Sequence, residues 1–104
     1  MKRTRKPVQT RVAILKIIKK LVPELRDLKV TAVYLFGSFA RGEALRKSDI
    51  DVVVECLDGI TLFDLAGVKI LLEEALGRRV DVVMREALRK EFRERVEREM
   101  IRAA

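Results

Sequence analysis

Two short β-rich apolar runs, Val30 to Phe36 and Val52-Val53-Val54, constrain this chain more than any other feature, because each is bounded by turn residues or acids and flanked by stretches of helical periodicity. Seven residues fall far short of the roughly 20 a membrane-spanning helix needs, so both runs read as buried strands and no membrane span is expected. Before them, Ile14, Ile17, Ile18 and Leu21 recur at i, i+3, i+4 and i+7 with Lys16, Lys19 and Lys20 turned away, which predicts an amphipathic helix. Pro23 ends or interrupts it, and Leu25 and Leu28 line a short further turn. After the runs, Thr61 and Asp64 have capping-box spacing, and Leu65, Val68, Leu72, Ala75 and Leu76 form one helical face up to Gly77. Val80 to Met84 predicts a third strand. Glu86 to about Arg102 predicts a last helix with Leu88, Phe92, Val96 and Met100 in a stripe that either packs on its own sheet or docks a partner. The order α-β-α-β-α-β-α describes one α/β domain.

Composition narrows the chemistry. The 104 residues are 49% hydrophobic, enough for one core. Histidine is absent and Cys56 is the single cysteine, which removes His-dependent nucleophilic catalysis, His-ligated zinc and internal disulfides. Cys56 is expected to pack at a strand end, and a reducing, cytoplasmic setting fits. An enzyme of this composition works through carboxylates, amines or bound metal. Residues 1–29 hold ten Lys/Arg against two acids, so the net charge of +7 belongs to the N-terminal segment. That basicity attracts nucleic acid or an acidic protein face, or serves only as a solubilising tail. One Tyr and four Phe, none interleaved with the basic cluster, disfavour direct nucleic-acid binding by base stacking. Lys16, Lys19 and Lys20 break any apolar stretch behind the basic start, so no secretion signal is expected.

Chemistry-bearing residues concentrate between 37 and 51. Side chains alternate along a strand, so Asp49 and Asp51 of Asp49-Ile50-Asp51-Val52 are expected on one face. Two such anions tolerate burial only if one is protonated or a cation bridges them, and oxygen ligands suit magnesium or manganese. The competing reading places both aspartates in a loop, capping amides and facing water. Gly37-Ser38 closes the first strand and opens a helix at Phe39-Ala40-Arg41, whose free amides suit a phosphate. In the third strand, Asp81 sits among apolar residues, either as a further site carboxylate or paired with Arg78 or Arg79. Arg46 and Lys47 add positive charge to the same loop.

Gly37-Ser38, the ten residues Phe39 to Ser48, and Asp49-Ile50-Asp51 together resemble the signature of the DNA polymerase β-type nucleotidyltransferase superfamily. The stretch GSFARGEALRKSDIDVVVE looks like its small branch, the minimal nucleotidyltransferases. The resemblance implies a single small domain over residues 12–104, with a mixed central sheet of at least three strands flanked by helices, and leaves residues 1–11 as a basic arm. It implies magnesium-dependent transfer of AMP from ATP to a protein hydroxyl. Asp49 and Asp51 would hold one magnesium, and both would join Asp81 around a second. Gly37 and Ser38 would bind phosphate oxygens, with Arg41 as a further nucleotide contact. Members of the branch are often antitoxins that AMPylate a HEPN-type ribonuclease toxin. The short chain leaves little beyond the signature domain, so an acceptor presented by such a partner is expected. The alternatives are an interaction module that neutralises a partner by docking alone, or a standalone enzyme acting on RNA ends or a small molecule.

Overall fold

A computed structural model describes residues 10–45 and 48–104. Most of the expected basic arm, and Arg46 and Lys47, therefore lie outside the described residues. Helix α1 (Arg11–Lys20) starts where the Thr10 hydroxyl accepts from the Ala13 amide, and it buries Ile14 and Ile18. Pro23 falls in the first turn of α2 (Val22–Asp27), where a proline lacks no needed donor, so it separates two helices without breaking one. Strand β1 (Val30–Phe36) leads directly into α3 (Gly37–Arg41), and β2 (Ile50–Cys56) follows. Helix α4 (Leu62–Leu76) carries the complete Thr61/Asp64 capping box and ends at Gly77 in left-handed conformation, φ 67°. It buries Val68, Leu72 and Leu76. Strand β3 (Val80–Met84), a 3₁₀ turn (Arg85–Ala87), α5 (Lys90–Glu99) and β4 (Ile101–Arg102) complete the order.

The sheet runs β3-β2-β1-β4 and is mixed: β1 is antiparallel to β2 and β4, and β2 is parallel to β3. Parallel neighbours require a crossover, which α4 supplies, so β2 and β3 begin at the same end of the sheet. One face packs Val33, Leu35, Val52, Val54 and Val80 against α1, α2 and α4. The other gathers Val53, Leu88 and Val96, with Tyr34, Phe36, Val83 and Met100 beside them. Burial from both sides explains the unbroken apolar run in β2, where Val52, Val53 and Val54 are fully buried. Cys56 ends that strand, part-buried against the core.

The C-terminal region corrects the sequence reading. One continuous helix from Glu86 is replaced by the 3₁₀ turn, the shorter α5 and β4, which pairs with β1 at Tyr34 and Leu35. Arg85 accounts for the early break: its guanidinium binds both Glu55 at the end of β2 and Glu97 of α5. Leu88 and Val96 of the expected stripe pack on the sheet, whereas Phe92 remains 46% exposed. No helix among the described residues is long and apolar enough to cross a membrane.

Candidate functional site

The strand directions bring three separate parts of the chain together. Antiparallel pairing sets Phe36, the last residue of β1, opposite Asp51 near the start of β2. Parallel pairing sets Asp81 directly opposite Asp51. Gly37 follows Phe36 at φ 74°, and a Cβ built there would lie 2.5 Å from Asp51 Oδ2. Glycine is therefore required at 37 for two independent reasons, a left-handed backbone and the approach of a carboxylate. Ser38 lies in the first turn of α3, whose N-cap residue, Phe36, makes no side-chain cap hydrogen bond. The leading amides of a helix have no partner within it, and here the cap residue supplies none.

Asp51 carries the clearest electrostatic signature. Burial, then repulsion from Asp81 and a hydrogen bond with it, then the charge of Asp49 push its carboxyl up from 3.8 to about 6, against a lowering influence from Arg41. A carboxyl pair that disfavours its own second charge fits a hard divalent cation.

Asp49 lies one residue before β2, and its charge is near enough to raise the proton affinity of Asp51. One sequence expectation needs correction. Asp81 is exposed, because β3 is an edge strand, so the cost of burial is no argument for its function. Among the described residues, no three His, Cys, Asp or Glu side chains close around a point that would hold a metal ion. The facing oxygen donors of Asp51 and Asp81 fit a hard divalent cation that takes one or two protein carboxylates and completes its shell with water and substrate phosphates.

Arg41 is exposed but engaged, bound to Glu43 at 2.8 Å and to Glu99 of α5 at 3.1 Å. Arg78 stacks over the Phe39 ring and donates to the Ser48 carbonyl, tying the signature loop to the end of α4. A cleft of about 690 Å³ opens over Asp51 and Asp81, with Phe36, Val83 and Phe92 on one side and Leu65 and Lys69 of α4 on the other. That volume lies within the range of small-molecule sites. Sequence reasoning missed Phe36, Lys69 and Phe92. The i, i+4 spacing of Lys69 and Glu73, just before a strand carrying an aspartate, was the available signal for Lys69.

A family model described as the nucleotidyltransferase domain matches residues 14–103. A Methanocaldococcus jannaschii protein, provisionally named a protein adenylyltransferase, is 38% identical over 85 residues, spanning 82% of this chain and 91% of that relative. The protein adenylyltransferase MntA of Thermococcus cleftensis is 37% identical over 79 residues, spanning 75% and 80%. A solved structure provisionally described as a minimal nucleotidyltransferase matches with TM-score 0.80 and 36% identity, over 89% of this chain and 95% of that one. A crystal structure of a toxin-antitoxin with AMP-PNP matches with TM-score 0.68 and 27% identity, over 83% and 72%.

Proposed function

The chain belongs to the nucleotidyltransferase domain family, and from that premise we propose that it transfers AMP from ATP to a hydroxyl on a partner protein, acting as the antitoxin of a HEPN-type toxin. The observation that carries this reading is the convergence of Gly37, Asp51 and Asp81: the Gly-Ser and Asp-x-Asp halves of the signature meet in space, and a third carboxylate stands opposite. Relatives named protein adenylyltransferase support the reaction class, and the similarity to a toxin-antitoxin structure with AMP-PNP supports the setting.

Asp51 and Asp81 would hold magnesium in this reading, with Asp49 beside them as a further carboxylate donor. Bound magnesium would offset the charge of the triphosphate and lower the proton affinity of the acceptor hydroxyl. The amides at the start of α3 and the Ser38 hydroxyl donate to phosphate oxygens. Arg41, fixed by Glu43 and Glu99, contributes positive potential beside Asp51 from a set position. Asp81, open to the cleft, takes the acceptor proton on a carboxylate oxygen while the hydroxyl oxygen bonds to the α-phosphorus and pyrophosphate departs. Phe36, Val83 and Phe92 supply an apolar surface beside the carboxylates for the base or the acceptor to lie against.

The test is incubation of purified protein with Mg-ATP and a HEPN-type toxin from the same genome, followed by intact mass. The toxin is expected to gain the mass of AMP on a tyrosine, and to gain none when magnesium is chelated. Neutralisation without modification would favour docking alone. With neither modification nor complex, labelled ATP is to be offered to RNA ends and small hydroxyl compounds.

A further inference from the structure

We propose that Lys69 and Glu73 of α4 are positioning residues that fix Asp81 in the cleft by occupying the outer edge of β3; this rests on the reading of Asp81 as a functional carboxylate. Residues of a strand in a parallel pair alternately turn their backbone groups toward and away from the neighbour. Ile50 N donates to Arg79 O at 2.9 Å on the β2 side, so the polar groups of Val80 face outward. An edge strand leaves such groups to water or to an unwanted partner.

Here α4 takes both. Val80 N donates to Glu73 Oε2 at 3.0 Å, Lys69 Nζ donates to Val80 O at 2.6 Å, and the two side chains pair at 3.1 Å. One turn of helix thereby imitates a neighbouring strand at the residue immediately before Asp81. The Val80 side chain is fully buried beneath this clip, while Asp81 is exposed above the cleft, so the backbone between them is pinned on both edges and from below. An i, i+4 ion pair by itself adds little to stability. The placement of two charge-bearing groups on one peptide unit beside a site carboxylate matters through geometry, since groups that orient a ligand side chain commonly change metal affinity about 10–100-fold.

Mn²⁺ binding in the presence of AMP-PNP, followed by electron paramagnetic resonance, tests the inference, with hydrogen exchange read at the β3 amides. Asp81→Asn identifies the Mn²⁺ binding that depends on Asp81. Glu73→Ala and Lys69→Met are expected to weaken that same binding about tenfold and to speed exchange at Asp81 and Val82. Glu73→Gln, whose amide oxygen still accepts from Val80 N, is expected to restore it to within about threefold of wild type. If Asp81→Asn weakens binding while both α4 variants match wild type, the positioning role fails and the reading of Asp81 stands. If Asp81→Asn itself binds like wild type, both fail. Equal losses in Glu73→Gln and Glu73→Ala would assign the effect to charge and overturn the inference.

Discussion

The interior beneath α1 and α4 and the open end of β2 and β3 obey opposite rules. In the interior, Ile14, Ile18, Val33, Leu35, Val68, Leu72 and Leu76 are fully buried, and no polar or charged residue among the described ones is buried with them. At the open end, two carboxylates face each other across a strand pair, and the electrostatic cost of that arrangement appears in the raised proton affinity of Asp51. Stability and chemistry therefore occupy different layers of one small domain. Damage to one should leave the other measurable.

The largest expected effect is on chemistry. Asp51→Asn should lower nucleotide transfer about 10³-fold, equivalent to ~4 kcal/mol of transition-state stabilisation, and abolish the Mg-ATP-dependent rise in melting temperature. Retained transfer would remove Asp51 from the site. Leu72→Ala should instead cost about 3 kcal/mol in a urea titration, within the usual range for a buried leucine, while transfer per folded molecule stays near wild type at temperatures well below the melt. A large loss of specific activity there would show that the layers are coupled.

Gly37→Ala crosses the boundary. A Cβ at positive φ, pressed against Asp51, should cost about 2 kcal/mol and also suppress the Mg-ATP shift, although no acid has been altered. A stability loss with the Mg-ATP shift preserved would mean that the Asp51 carboxyl moves aside freely and only the backbone strain remains. A smaller effect concerns acidity in the ligand-free protein. Because the folded state holds the Asp51 proton more tightly than the unfolded state, the associated stability is present below about pH 3.8 and lost as pH rises through about 6. Asp51→Asn should flatten that part of the stability profile and leave the apo variant more stable at pH 7, by about 1–2 kcal/mol once screening of a part-exposed group is included. A less stable apo variant would break the comparison. The smallest expected change is Thr61→Ala, which removes the cap of α4 and should cost about 1 kcal/mol in the same titration.

What was legible in the sequence was local. The Thr61 cap, the Gly77 terminus, the Pro23 junction and the two apolar strands each depend on a few consecutive residues, and each is found as read. The family read from Gly37-Ser38 and Asp49-Ile50-Asp51 is also the family whose model matches the chain. What escaped was set by neighbours distant in sequence. The exposure of Asp81 follows from β3 being the outer strand, and strand order is not written in the residues of that strand. Strand β4 is two residues long, too short to show any periodicity, and the stripe of α5 runs straight into it. Arg85, which ends β3 and opens the turn before α5, finds its partners 30 residues earlier and 12 later.

The border position of β3 also bears on how the molecule fails on heating. Asp51 belongs to a strand paired on both sides and covered on both faces, whereas Asp81 belongs to a strand with a sheet neighbour on one side only. Local opening begins where fewest interactions must be broken, so the edge strands β3 and β4 should loosen before β1 and β2, β3 once its α4 clip lets go. Inactivation would then precede unfolding, as a reversible loss of turnover several degrees below the calorimetric transition, in molecules whose far-ultraviolet dichroism is still native.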